Sequence, residues 1–153
     1  MLYESQVTDG VCSFLEVNGF SITQRLSAIE HGEDIIAIAP DGKTRVSIEA
    51  KGETSSRAGS RRYGKSFNSG QVWDHVSKAV YKAALHFSTG TLAAVALPRN
   101  PAHVECISKI LPALKHLDIE IFGSALMAKS KLSSTGTYGG TGREGRIRTN
   151  RRY

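Results

Sequence analysis

Residues 33–51 read Glu33-Asp34-Ile35-Ile36-Ala37-Ile38-Ala39-Pro40-Asp41-Gly42-Lys43-Thr44-Arg45-Val46-Ser47-Ile48-Glu49-Ala50-Lys51. Residues 34–39 are a short isoleucine-rich strand, and Pro40-Asp41-Gly42-Lys43 is a turn that uses the fixed φ of proline and the freedom of glycine. Residues 44–51 alternate, with Val46, Ile48 and Ala50 on one face and Ser47, Glu49 and Lys51 on the other. The turn makes the two strands antiparallel neighbours, so the start of the first lies beside the end of the second. Glu49 and Lys51 are two apart and share a face. Asp34 is therefore expected beside both.

Upstream, residues 3–18 place Val7, Val11, Phe14, Leu15 and Val17 at helical spacing, and Asn18-Gly19 is a stop. Residues 20–29 alternate as a strand. Downstream, a Gly/Ser-rich loop over 52–67 leads to the longest helix, 69–87, with Val72, Val76, Ala79, Val80, Ala83 and Phe87 as its inner stripe. Residues 91–97 (TLAAVAL) read as a buried strand that Pro98 stops. Residues 102–116 form a helix with Val104, Ile107, Ile110, Leu111 and Leu114 inside and a kink at Pro112. Residues 118–123 are a last strand. Three strands joined by short turns predict an antiparallel meander. The helix that follows is a crossover, which predicts a parallel fourth strand. The expected fold class is α/β: an αβββαβ core with a mixed central sheet flanked by helices, and an extra helix and strand at the C-terminal side.

The chain has 153 residues, which suits one domain, and 40% hydrophobic against 22% charged residues, which suits a real core. The domain is expected over residues 1–123, with 124–153 a basic Gly/Ser/Arg-rich tail. That tail holds seven bases against one acid, a net of +6, while the other 123 residues carry 13 of each sign. Inside the neutral body, residues 54–66 contain Arg57, Arg61, Arg62 and Lys65 and no acid. Both basic segments could grip a polyanion such as nucleic acid by displacing counterions; the alternative is a solvated loop and a solubilising tail, and for the tail alone that plainer reading is preferred. No apolar run reaches the roughly 18–20 residues of a membrane span. The acidic start MLYESQVTDG is unlike a secretory leader. Cys12 and Cys106, far apart in apolar contexts, read as thiols in a reducing compartment. A cytoplasmic location is the expectation.

Glu4, in the first turn of the N-terminal helix, reaches Asp34, Glu49 and Lys51 if that helix packs across the meander. Two or three carboxylates with one ammonium suit a hard divalent cation and phosphodiester hydrolysis. In this pattern the chain resembles the PD-(D/E)xK nucleases of restriction-endonuclease-like fold: Glu33-Asp34 at the start of the second strand, then Glu49-Ala50-Lys51 on the third. Glu33 replaces the proline frequent in that family. Among its subfamilies the chain is most similar, loosely, to Holliday-junction-resolvase and Mrr-like members. The resemblance implies that Asp34, Glu49 and the Ala50 carbonyl hold Mg²⁺ or Mn²⁺, with Glu4 contributing directly or through water. It implies that Lys51 serves the nucleophile and that Gln71, in the helix after the third strand, belongs to the site. The implied activity is metal-dependent phosphodiester hydrolysis, with DNA the favoured substrate and endonucleolytic action expected. The alternative is a nucleic-acid-binding module of the same fold without turnover.

Arg57, Arg61, Arg62, Lys65 and Lys78 are the candidate phosphate contacts. Gln71, His75, Lys78 and Lys82 recur on one side of helix 69–87; Gln71 and Lys78 are expected at the cleft and Lys82 in solvent. Gly59-Ser60-Arg61-Arg62-Tyr63-Gly64-Lys65-Ser66 also satisfies the P-loop pattern, the basis of a weaker rival reading as a nucleotide hydrolase. Eight residues separate it from the preceding strand, and Phe67-Asn68-Ser69-Gly70 delays the helix it needs. Trp73 reads as a core or dimer contact, and a homodimer would let so small a nuclease cut two strands. His103 and His116 read as surface or satisfied residues, and so does His86.

Overall fold

The computed structural model describes residues 1–26, 30, 32–56, 59–60 and 62–124. Its elements are α1 (Glu4–Val17), β1 (Ser21–Arg25), β2 (Ile35–Ile38), β3 (Arg45–Ala50), α2 (Ser69–Ser88), β4 (Leu92–Pro98), α3 (Pro101–Ser108), α4 (Leu111–His116) and β5 (Ile119–Ser124). The strands form one sheet in the order β1-β2-β3-β4-β5. The first three are antiparallel neighbours, and β3, β4 and β5 run parallel. The meander and the parallel crossover both follow the sequence expectation. The class is α/β with a mixed open sheet.

β3 is buried on both faces after Arg45, so its polar side, Ser47 and Glu49, lies under cover rather than in solvent. Val46, Ile48 and Ala50 join Ile35, Ala37, Ala94 and Ala96 in a core under Val7, Val11, Cys12 and Leu15 of α1. On the opposite face, Ala93, Val95 and Leu97 of β4 pack beneath Val72, Val76, Ala79 and Ala83 of α2, with Ile107 of α3 and Leu114 of α4. The small residues on β4 let helices from both sides approach the sheet closely. Neither cysteine is in a disulfide: Cys12 is buried and Cys106 half-buried.

Several edges of the elements differ from the sequence reading. Val17 is 87% exposed because α1 has rolled its stripe onto residues 7, 8, 11, 12 and 15. Phe87 near the end of α2, Val104 within α3 and Ile110 just before α4 are also exposed. The expected single helix over 102–116 is two, and Pro112 lies in the first turn of α4, where its missing N–H costs nothing. Pro98 stops β4 as its last residue, in register with Ser124. In the β2–β3 turn Asp41 accepts from Thr44 Oγ1, Thr44 N and Lys43 N. Those bonds, the Thr44 hydroxyl first, hold its carboxyl down at about 2. No helix among the described residues is long and apolar enough to cross a membrane.

Candidate active site

The β2–β3 register pairs Ile35 with Ile48, and one further step sets Asp34 opposite Glu49. Directly opposed residues share a face, so the expected juxtaposition follows from the pairing itself. Asp34 Oδ2 accepts from the Ala50 N–H at 2.7 Å, which fixes the carboxylate at the end of β3. Lys51 Nζ lies 3.4 Å from Asp34 Oδ2, 3.4 Å from Glu49 Oε2 and 3.8 Å from Glu4 Oε2. It also donates to the Ala50 carbonyl at 2.6 Å. Asp34, Glu49, Glu4 and the Ala50 carbonyl thus converge on the Lys51 ammonium nitrogen.

Glu4 reaches that point because residues 2–4 pass across Gly52. A Cβ on Gly52 would lie 2.6 Å from Glu4 N and 3.0 Å from Tyr3 C, so only glycine admits this crossing. Glu53 completes the clamp: its N–H donates to Leu2 O at 2.9 Å and its carboxylate accepts from Leu2 N. Glu53 also takes a bond from Asn100 Nδ2 at 2.6 Å. Asn100 Oδ1 in turn accepts from His103 Nδ1 at 2.9 Å. His103, expected as a surface or satisfied residue, is buried at 1% exposure with its Nδ1 bonded to Asn100, and its Nε2 has no hydrogen-bond partner among the described residues. Burial pushes its pKa down, as it does for His75, whose ring packs edge-on against Phe67.

The electrostatics follow from burial. Glu49 is 1% exposed, and loss of water raises its carboxyl pKa against the pull of Lys82 and Lys51. Burial likewise raises Glu4, opposed by Lys51. For Lys51, burial is the largest single influence and favours the neutral amine. The carboxylates of Asp34, Glu4 and Glu49 together outweigh it, so the pKa ends above the ordinary value and the ammonium persists.

Lys82 was expected in solvent, yet its Nζ donates to Glu49 Oε1 at 2.7 Å, the shortest ion pair of Glu49. The periodic polar stripe on α2 was the available signal; which member meets the sheet depends on how α2 crosses it. Gln71 is spent on helix capping instead. Its Oε1 accepts from Asn68 N at 3.1 Å, and its own N–H donates to Asn68 Oδ1. Lys78 is exposed on α2. Arg62 and Lys65 are exposed on the 52–67 loop, and Arg57, Arg61 and His31 lie outside the described residues, as does the tail beyond Ser124. The loop bridges back on itself through Thr54 with Ser66 and Ser55 with Tyr63. It neither follows a strand directly nor opens a helix, so the P-loop geometry is not formed. Trp73 is 62% exposed and not core.

A cavity of about 470 Å³ opens beside Glu49, lined among others by Gln24, Glu33, Lys82 and His86. His86, expected as a surface or satisfied residue, pairs there with Glu33 at 3.2 Å. Among the described residues no three His, Cys, Asp or Glu side chains stand as a ready-made metal cage. The donor chemistry nevertheless fits a hard cation: carboxylate oxygens and a backbone carbonyl turn toward a single positive centre, which Lys51 supplies. The chain matches no protein-family model, no curated protein and no solved structure.

Proposed function

We propose that this chain is a metal-dependent nuclease of restriction-endonuclease-like architecture that hydrolyses phosphodiesters, in DNA by preference. The observation that carries the proposal is the convergence of Asp34, Glu49 and the Ala50 carbonyl on Lys51 Nζ at the end of β3. Three carboxylates grouped at the end of the central strand of an otherwise apolar sheet are costly to bury, and the two lysines beside them leave the group one positive charge short. The order α1-β1-β2-β3-α2-β4, with an acid before β2 and an acid-x-lysine closing β3, supports the architecture.

Asp34, Glu49 and the Ala50 carbonyl would hold Mg²⁺ or Mn²⁺, with Glu4 acting directly or through water. When bound, such an ion polarises the phosphoryl oxygen and lowers the pKa of an attacking water. Lys51 keeps its proton under the influence of the carboxylates, so its part is to orient the nucleophile and offset charge on the pentacovalent phosphorus. Arg62, Lys65 and Lys78 are exposed cations that suit neighbouring backbone phosphates.

The test is a cleavage assay over linear, nicked, single-stranded and four-way-junction DNA. Cutting is expected with Mg²⁺ or Mn²⁺, is abolished by EDTA, and falls at least about 100-fold in Lys51→Ala and Glu49→Ala, the scale of removing electrostatic transition-state support. DNA binding that is salt-sensitive, indifferent to chelator and unaccompanied by cleavage would replace this reading with that of a binding module.

A further inference from the structure

Glu49 divides its two oxygens between two lysines, and the two lysines are not equivalent. Lys51 is only 15% exposed in its side chain and is surrounded by Glu4, Asp34, Glu49 and the Ala50 carbonyl. It has four acceptors and nowhere to go. Lys82 is 45% exposed, and its second contact is a long one of 3.4 Å to the Gly32 carbonyl. It arrives from α2, on the opposite side of Glu49, and borders the 470 Å³ cavity. The nearby charge is three carboxylates against two ammonium groups, so the site is short of positive charge. A divalent ion added with both lysines in place would set like charges in contact around one carboxylate. An ion taking the Asp34, Glu49 and Ala50 oxygens leaves Lys51 its contact with Glu4, whereas Lys82 is held by Glu49 and a long carbonyl contact and is the lysine that can leave the group altogether.

From this asymmetry we infer that Lys82 is a displaceable counter-ion: it occupies Glu49 until a divalent cation binds, and is then released into the cavity to meet a substrate phosphate. The inference rests on the metal-dependent reading above. It gives Lys82 two successive partners, a carboxylate first and a phosphate second. The phosphate contact therefore forms only in the metal-loaded protein. Premature capture of DNA at this position is suppressed by the same ion pair that keeps Glu49 buried. Arginine at 82 would preserve the competition, since a guanidinium also pairs with a carboxylate.

Two measurements on the full chain test it. In the first, Mn²⁺ is titrated calorimetrically into the wild type, Lys82→Gln and Lys82→Arg. Removing the competitor should tighten Mn²⁺ binding by about 3- to 10-fold in Lys82→Gln, the range for an ion pair with one exposed partner, while Lys82→Arg stays near the wild type. Equal or weaker Mn²⁺ binding in Lys82→Gln overturns the inference and leaves the metal reading intact. No Mn²⁺ binding by either the wild type or Lys82→Gln overturns both. In the second, the salt dependence of short-duplex DNA affinity is measured with Ca²⁺ and with EDTA. Loss of one phosphate contact should lower the slope of log affinity against log salt by about 0.9 in Lys82→Gln, with Ca²⁺ and not with EDTA. The same change in both conditions, or none in either, overturns the switch.

Discussion

Lys51→Met keeps the length and most of the apolar stem of the side chain and removes its charge from among three carboxylates. At a separation of 3.4 Å each of the two nearer contacts is a gross attraction of about 5 kcal/mol at an effective dielectric of about 20. Desolvation of the partners offsets most of that. Withdrawing one member of a buried ionic group costs about 3–5 kcal/mol net, and the lower end applies because Asp34 and Glu4 retain 16% and 26% exposure. A loss of about 3 kcal/mol is a large share of the roughly 5–15 kcal/mol that holds a domain together, and should lower Tm by about 10 °C. The sign of the pH dependence follows from the carboxyls. Burial already raises the pKa of Glu49 and of Glu4, so the folded state binds protons more readily than the unfolded one and stability falls as pH rises through their titration. Without the ammonium they rise further. The deficit of the variant should be greatest near pH 7 and shrink toward pH 5, as protons neutralise the unpaired charges. Urea unfolding at both pH values, followed by circular dichroism, measures it. A deficit under about 0.5 kcal/mol near pH 7, or one independent of pH, would refute the shared-ammonium account.

Gly52→Ala drives a Cβ into the backbone of Tyr3 and Glu4, a close approach of 2.6 Å that no rotamer relieves. It should cost about 1–3 kcal/mol in urea unfolding and lower cleavage through displacement of Glu4; wild-type stability would show that the crossing is loose. Burial keeps the His103 imidazole neutral, its pKa below the ordinary value. The stability this contributes is present above about pH 6.5 and is lost as pH falls toward the folded-state pKa; His103→Leu should flatten the slope of stability against pH between 7 and 5, and an unchanged slope assigns it to other groups. Replacing Arg62 and Lys65 together by alanine should reduce the salt slope of DNA binding by about 2, near 0.9 per phosphate, while Mn²⁺ binding stays unchanged; an unaltered slope removes the loop from the interface.

The sheet and the heart of the site were legible because both depend on two short-range signals. Alternation along 44–51 fixed which side Glu49 and Lys51 occupy, and the Pro40–Lys43 turn fixed which strand lies opposite. Hydrogen-bond register did the rest, bringing Asp34 to Glu49 with no tertiary information needed. What was not legible depends on how helices sit on the sheet. Lys82 and Gln71 look alike as polar residues on one helical face. Only the crossing of α2 over β3 decides that the lysine meets Glu49 and the glutamine turns back to cap its own helix. Val17 and Val104 have the right spacing for a core, but the sheet does not reach them. The link from Glu53 through Asn100 to His103 joins residues up to 50 positions apart, and no local pattern announces it.

β3, β4 and β5 are parallel, so all three finish at the same rim of the sheet: Ala50 beside Ala96, and Pro98 beside Ser124. Ser124 is thus about two inter-strand spacings, roughly 10 Å, from the level of the chain just past Lys51. The remaining 29 residues, with seven cations and a single acid, are covalently launched from the threshold of the site itself. Their positive charge is covalently tied to the rim where Asp34, Glu49 and Lys51 stand. Its local concentration there is set by chain length rather than by how much protein is in solution.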